Sequence, residues 1–161
     1  MVIDSSYSEY DAMLGGILIV AILVMLVLAI IGYFISALIF YNASKTNGFK
    51  DLAYFAWIPI ANIYSLFLLT AISDDAATTR ATAKKNTLIY FGLFIVSLIP
   101  LIGLVASLVM AGFVIYYSYV LMYRWSGETG KAVLYVILSI VTAGLFFAIY
   151  GLMRMNKRFV A

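Results

Sequence analysis

The acidic pair Asp74 and Asp75 is the part of the sequence whose residue types come closest to a catalytic centre. Two adjacent carboxylates followed by Arg80, Lys84 and Lys85 could hold a divalent ion against a phosphate group, as a lipid-modifying enzyme requires. No third acid follows at helical spacing. The helix dipole also favours acidic residues near the start of a short helix and basic residues near its end, which is the order found here. The sequence therefore favours a solvated connecting helix at this position over a catalytic site.

Other residue types that support chemistry are scarce. The chain contains no histidine and no cysteine, so the commonest general base and the usual soft metal ligands are missing. A net charge of +3, spread over separate loops, forms no continuous basic stripe for nucleic acid. The apolar stretches also contain no ionisable side chain of the kind that proton-coupled transport uses. We therefore expect a non-enzymatic protein without a cofactor, a metal or a nucleic-acid partner.

The charged residues are confined to five short clusters, and four uncharged stretches separate them. Because an ionised side chain at the centre of a membrane helix costs roughly 2.5 to 3.5 kcal/mol on insertion scales, this pattern predicts membrane segments. They cover about residues 13–41, 52–73, 88–123 and 132–153, with a connecting loop at 74–87 and a basic tail at 154–161. The fold class predicted is an all-α, polytopic integral membrane bundle that forms one domain over residues 1–161.

Prolines interrupt two of these segments. In the second segment, Pro59 predicts a kink or a re-entrant turn, and the amide of Asn62 can bond the carbonyls that the proline frees. The third segment would be about 54 Å long as one helix, and Pro100 with Gly103 marks a kink near its middle. Because residues 88–99 are too short to cross a bilayer alone, one tilted and kinked helix is preferred to two spans.

Small residues at four-residue spacing predict a helix-packing interface on the third segment. Gly103, Ser107 and Ala111 lie on one helical face, and small side chains let helix backbones approach closely in lipid. Two interpretations remain open, packing within the chain and a seam between copies. The candidate mates within the chain are Gly32 and Ser36 in the first segment and Gly144 and Ala148 in the fourth.

The stretch 50–64, KDLAYFAWIPIANIY, resembles a segment of uncharacterised small multi-span membrane proteins of bacteria. In those proteins a basic residue is followed by an aromatic residue, then by Ile-Pro, then by Asn and Tyr. The resemblance implies a bacterial inner-membrane protein of several helices, and it implies no reaction.

The Lys and Arg residues predict how the chain is oriented. Four crossings with both termini inside would place six of these residues in the cytoplasm and four outside. If the second segment is re-entrant, eight of them lie in the cytoplasm and two lie outside. Both arrangements keep the loop at 74–85 and the C-terminal tail in the cytoplasm, and they differ in the side of the N-terminus. We therefore expect three to five crossings of the bacterial cytoplasmic membrane.

The function that the sequence favours is non-enzymatic. We expect contacts of helix faces with the lipid bilayer and with a second copy or a larger membrane protein, as an assembly subunit, accessory or immunity-type component. A lipid-modifying enzyme that uses Asp74 and Asp75 is a further possibility. The main alternative is an oligomeric channel or holin-like permeability factor, with a pore lined by uncharged polar side chains: Ser36, Asn62, Ser65, Thr70, Ser97, Ser107, Ser118, Ser139 and Thr142.

Overall fold

The computed structural model describes residues 5–71, 73 and 75–161, with side chains from Tyr10 onward. Within these ranges the structure is all-helical and no strand is present, which confirms the all-α part of the predicted fold class. Two helices, Tyr10–Thr46 and Ile102–Ser126, are long and apolar enough to cross a membrane. The α-helices are α1 (Ser5–Thr46), α2 (Asn62–Thr70), α3 (Ala76–Ser97), α4 (Ile102–Ser126), α5 (Thr129–Val141) and α6 (Leu145–Arg154), and a 3₁₀ helix covers Ala53–Trp57.

The chain divides into two compact units, where the sequence predicts one domain. They are an N-terminal unit, Met1–Phe34, and a C-terminal unit, Ile35–Ala161. In the N-terminal unit, four consecutive apolar side chains from Ile17 to Val20 are each between 54% and 62% exposed. Because successive residues point in different directions around a helix, this part of α1 is apolar and exposed on all sides.

The second predicted segment contains a complete break. The 3₁₀ helix ends at Trp57, Pro59 lies in the following turn, and α2 begins at Asn62. The Asn62 Nδ2 atom donates a hydrogen bond to the carbonyl oxygen of Ala56, 2.8 Å away. The asparagine therefore supplies the donor that the sequence predicts for a helix broken at proline. The nine residues of α2 measure about 14 Å, which is too short to cross a bilayer.

The third predicted segment is two helices, so the preference for one kinked helix was wrong. α3 and α4 pack against each other as a hairpin, joined by the turn at residues 98–101. Pro100 cannot continue α3, and Leu101 adopts a φ of 68° that takes the backbone out of the right-handed helix. The connecting segment predicted at 74–87 contains a helix, as its charge pattern indicates, but this helix is the first part of α3, which begins at Ala76 and continues to Ser97.

The fourth predicted segment is also a hairpin rather than one span. α5 ends at Val141, Ala143 and Gly144 have φ angles of 50° and 88°, and α6 begins at Leu145. The Tyr135 ring lies 4.7 Å from the Tyr150 ring, centroid to centroid, which packs α5 against α6. The prediction failed because no proline marks the turn, and only the left-handed backbone reverses the chain.

Two aromatic clusters hold the C-terminal unit together. Trp125 is fully buried at the end of α4, and its ring centroid lies 6.1 Å from that of Tyr150 in α6. Phe67 is fully buried in α2, with its centroid 5.4 Å from Phe113 and 6.1 Å from Tyr90. These clusters tie α6 to α4, and α2 to both limbs of the α3–α4 hairpin.

Candidate functional site

The open ends of the two hairpins meet at one end of the C-terminal unit, which we call the charged end. Near the end of α4, Arg124 donates to the carbonyl oxygen of Ala71 at 2.7 Å, just after α2. At the end of α6, Arg154 donates to the carbonyl oxygen of Trp125. The backbone N–H of Val160 donates to the carbonyl oxygen of Arg124 at 2.8 Å. These bonds join α2, α4, α6 and the C-terminal tail.

The basic residues of the chain collect at this charged end or on the helix limbs that start from it. The loop after α1 belongs to the same end, because Asn47 Oδ1 accepts a hydrogen bond of 2.9 Å from the N–H of Phe159 in the tail. The two hairpin turns, residues 98–101 and 142–144, contain no charge. The ten basic residues are Lys45, Lys50, Arg80, Lys84, Lys85, Arg124, Lys131, Arg154, Lys157 and Arg158.

The roles of Arg124 and Arg154 were missed by the sequence interpretation, which treated them only as orientation markers. Both lie in the last turn of a helix, where a basic side chain can bond free carbonyl groups. That position in the sequence is the signal that could have identified them. Here each guanidinium group bonds a carbonyl of a different helix or connection, so these residues hold the helices of the charged end together.

Asp75 caps α3. Its carboxylate oxygens accept hydrogen bonds from the N–H groups of Ala77 and Thr78, at 3.2 and 2.8 Å, and from the Thr78 hydroxyl at 2.8 Å. These bonds, mainly those from Thr78, lower the pKa of Asp75. Asp74 lies outside the described residues. In the described ranges no group of three or more metal-ligating side chains comes together.

The small-residue face of α4 separates into a buried part and an exposed part. Gly103 is buried at the hairpin turn, where an added Cβ would lie 2.2 Å from the carbonyl oxygen of Ser97. Ser107 and Ala111 are exposed, and Ala106 is the small residue that the fold buries next to Gly103. Within the C-terminal unit, the Ser107 and Ala111 part of the face therefore points outward.

The residues predicted to pack against this face of α4 differ in how buried they are. An added Cβ at Gly32 in the N-terminal unit would meet no atom within 4 Å, and Ser36 is partly buried. Gly144 is exposed at the α5–α6 turn, and Ala148 is partly buried in α6. Gly144 lines a cavity of about 240 Å³ with Ser118, so Ser118 is the α4 serine that faces the second hairpin.

Several polar side chains of the apolar stretches bond to their own helices. Thr70, Ser97 and Ser139 donate to backbone carbonyls three or four residues earlier, at 2.6 to 2.7 Å. Such bonds satisfy hydroxyl groups locally, without water or a transported ion. The pore lining proposed from the sequence stays a prediction.

Comparisons of the chain with protein-family models, with curated proteins and with solved structures find no match.

Proposed function

We propose that the chain is a small integral membrane protein of the bacterial cytoplasmic membrane that acts non-enzymatically through helix-face contacts. It serves as an assembly subunit, accessory or immunity-type component, and its partner is a second copy or a larger membrane protein. The observation that carries this proposal is the exposure of Ser107 and Ala111 on α4. Small residues four positions apart favour close helix association in lipid, and this face is left open by the C-terminal unit.

The lengths of the hairpin limbs support a specific arrangement in the membrane. From the first turn to Lys85 in α3 the uncharged limb measures about 20 Å, and from the second turn to Lys131 it measures about 17 Å. Both are shorter than the hydrocarbon layer of about 30 Å. α4 is long enough to cross, but it packs in one hairpin with the short apolar limb of α3. In our proposal both hairpins enter the membrane and return to the same side, and α1 is the one helix that crosses. This arrangement replaces the three to five crossings expected from the sequence.

The distribution of charge supports the same arrangement. With one crossing by α1, all ten Lys and Arg residues lie on the cytoplasmic side, together with the C-terminal tail. The N-terminus then lies outside, and the charged residues that precede the apolar stretch in the sequence are the acids Asp4, Glu9 and Asp11. This charge bias is stronger than in either arrangement derived from the sequence.

Single cysteines test the arrangement, because the chain has none of its own. A maleimide that does not cross membranes is added to spheroplasts before and after permeabilisation. We expect Ser126→Cys and Thr46→Cys to react only after permeabilisation, like the tail control Asn156→Cys, and Ser8→Cys to react before it. Labelling of Ser126→Cys in intact spheroplasts would overturn the proposed arrangement.

Cysteine cross-linking tests the proposed contact. We expect Ser107→Cys and Ala111→Cys to form disulfide-linked dimers in membranes under mild oxidation. The control is Val109→Cys, which is 49% exposed on the opposite side of α4. If the partner is a larger protein, a photoreactive residue at position 107 gives one adduct of higher mass, absent at position 109. Equal yields at positions 107, 109 and 111 would contradict a specific helix face.

A further inference from the structure

A cleft of about 680 Å³ opens between the segment 52–64 and α3. The wall formed by the segment 52–64 is mostly apolar, and it includes Phe55, Ile58 and Ile60. Ile58 and Ile60 are 44% and 73% exposed, so this wall is accessible from outside the unit. A cleft with such a wall provides room for a hydrocarbon chain.

The second wall of the cleft is a single stripe along α3. Arg80, Lys84, Thr87 and Phe91 all line the cleft, at spacings of four, three and four residues. These spacings place them on one face of the helix. Over about 17 Å the stripe changes from two basic side chains to a threonine and then to a phenylalanine. A phospholipid shows the same order of groups, from its phosphate to its acyl chains.

The basic end of the stripe has an unbalanced positive charge. Arg80 forms an ion pair with Asp51 at 2.9 Å, whereas Lys84 pairs with no carboxylate among the described residues. A guanidinium group has five N–H donors, so Arg80 can bond an anion while it is paired with Asp51. The Thr87 hydroxyl is already used, because it donates to the carbonyl oxygen of Ala83 at 2.8 Å.

We propose that this cleft binds one anionic glycerophospholipid. The phosphate lies between Lys84 and Arg80, and an acyl chain runs along Ile58, Ile60 and Phe91. α3 is uncharged beyond Lys85, so Lys84 and Arg80 lie near the membrane surface, at the level of lipid phosphates. A zwitterionic lipid binds less well, because its headgroup brings a cation towards these two side chains. This proposal rests on the membrane arrangement proposed above, but it does not depend on the contact proposed for α4.

Native mass spectrometry of the full chain in detergent tests the proposal. The protein is titrated with dioleoyl phosphatidylglycerol and, separately, with dioleoyl phosphatidylcholine. We expect one phosphatidylglycerol to bind preferentially, and Lys84→Gln to raise its Kd about fivefold, the effect of one interfacial lysine. Lys84→Arg restores binding because it keeps the charge.

Lys85→Gln is the matched control. Lys85 is the next residue on the same helix and is exposed like Lys84, but it does not line the cleft. Equal weakening by Lys84→Gln and Lys85→Gln would show diffuse attraction and overturn the proposal, as would equal binding of the two lipids. Competition by inorganic phosphate as effective as by phosphatidylglycerol would show an anion site that holds no lipid. Thermal melting by circular dichroism checks the fold of each variant.

Discussion

The two hairpins of the C-terminal unit reverse the chain by different means. In the α3–α4 hairpin, Pro100 ends one helix and the small Gly103 lets the next helix start beside the Ser97 carbonyl. In the α5–α6 hairpin there is no proline, and two residues with positive φ, Ala143 and Gly144, turn the backbone. Leu101 in the first turn also has a positive φ, of 68°, so backbone angles matter in both turns, whereas close packing at the glycine limits only the first. The comparison teaches that the absence of proline does not make an apolar stretch of 22 residues one helix, as the predicted segment 132–153 assumed.

The largest expected effect tests the role of space in the first hairpin. Gly103→Ala puts a methyl group 2.2 Å from the Ser97 carbonyl oxygen, so the helices must move apart. We expect a loss of about 3 kcal/mol in unfolding free energy, measured by denaturation in mixed micelles. The control is Gly92→Ala in α3, where an added Cβ meets no atom within 4 Å, and which we expect to be neutral or stabilising. Similar losses for both variants would contradict a spatial limit at Gly103.

The next effect tests the role of backbone angles in the second hairpin. At Gly144 an added Cβ meets no atom within 4 Å, but the φ of 88° is strained for any residue with a Cβ. We expect Gly144→Ala to lower the unfolding free energy by about 1.5 kcal/mol in the same assay. A loss as large as that of Gly103→Ala would remove the distinction between the two turns.

A smaller effect concerns a side chain that supports only the second turn. The Thr142 Oγ1 atom accepts a hydrogen bond of 3.0 Å from the N–H of Phe146 at the start of α6. We expect Thr142→Val to cost about 1 kcal/mol, because that N–H loses its acceptor. Ser97→Ala is the comparison in the first hairpin, where the hydroxyl only donates to its own helix at 2.6 Å. Hydrogen exchange at the Phe146 amide should become faster in Thr142→Val and stay unchanged in Ser97→Ala.

The smallest effect is a gain in stability. Ala143 adopts a φ of 50°, which glycine tolerates better, so Ala143→Gly should raise the unfolding free energy by about 0.5 kcal/mol. The control Ala148→Gly lies inside α6, where glycine should cost about 1 kcal/mol. A gain in unfolding free energy for Ala143→Gly and a loss for Ala148→Gly, measured in parallel melts, would support an effect of the backbone angle. A loss in both would contradict it.

Part of the fold and of the candidate site could be predicted from local sequence. The break at Pro59 and the role of Asn62 follow from one missing N–H group and one nearby amide. The outward direction of Ser107 could not be predicted, because the four-residue spacing defines a helix face but not what covers it. The bonds of Arg124 and Arg154 depend on carbonyls that only the folded chain brings near.

The sequence by itself determined the helical class and the separation of charged from apolar stretches, because an unpaired charge inside a bilayer is costly in any arrangement of the helices. Only the tertiary structure decided that two of those stretches fold back on themselves. A reversal depends on the backbone angles of one or two residues and on the packing of the limbs that follow. In the second hairpin that packing includes Trp125, Tyr135 and Tyr150, which are distant in the sequence and adjacent only after folding.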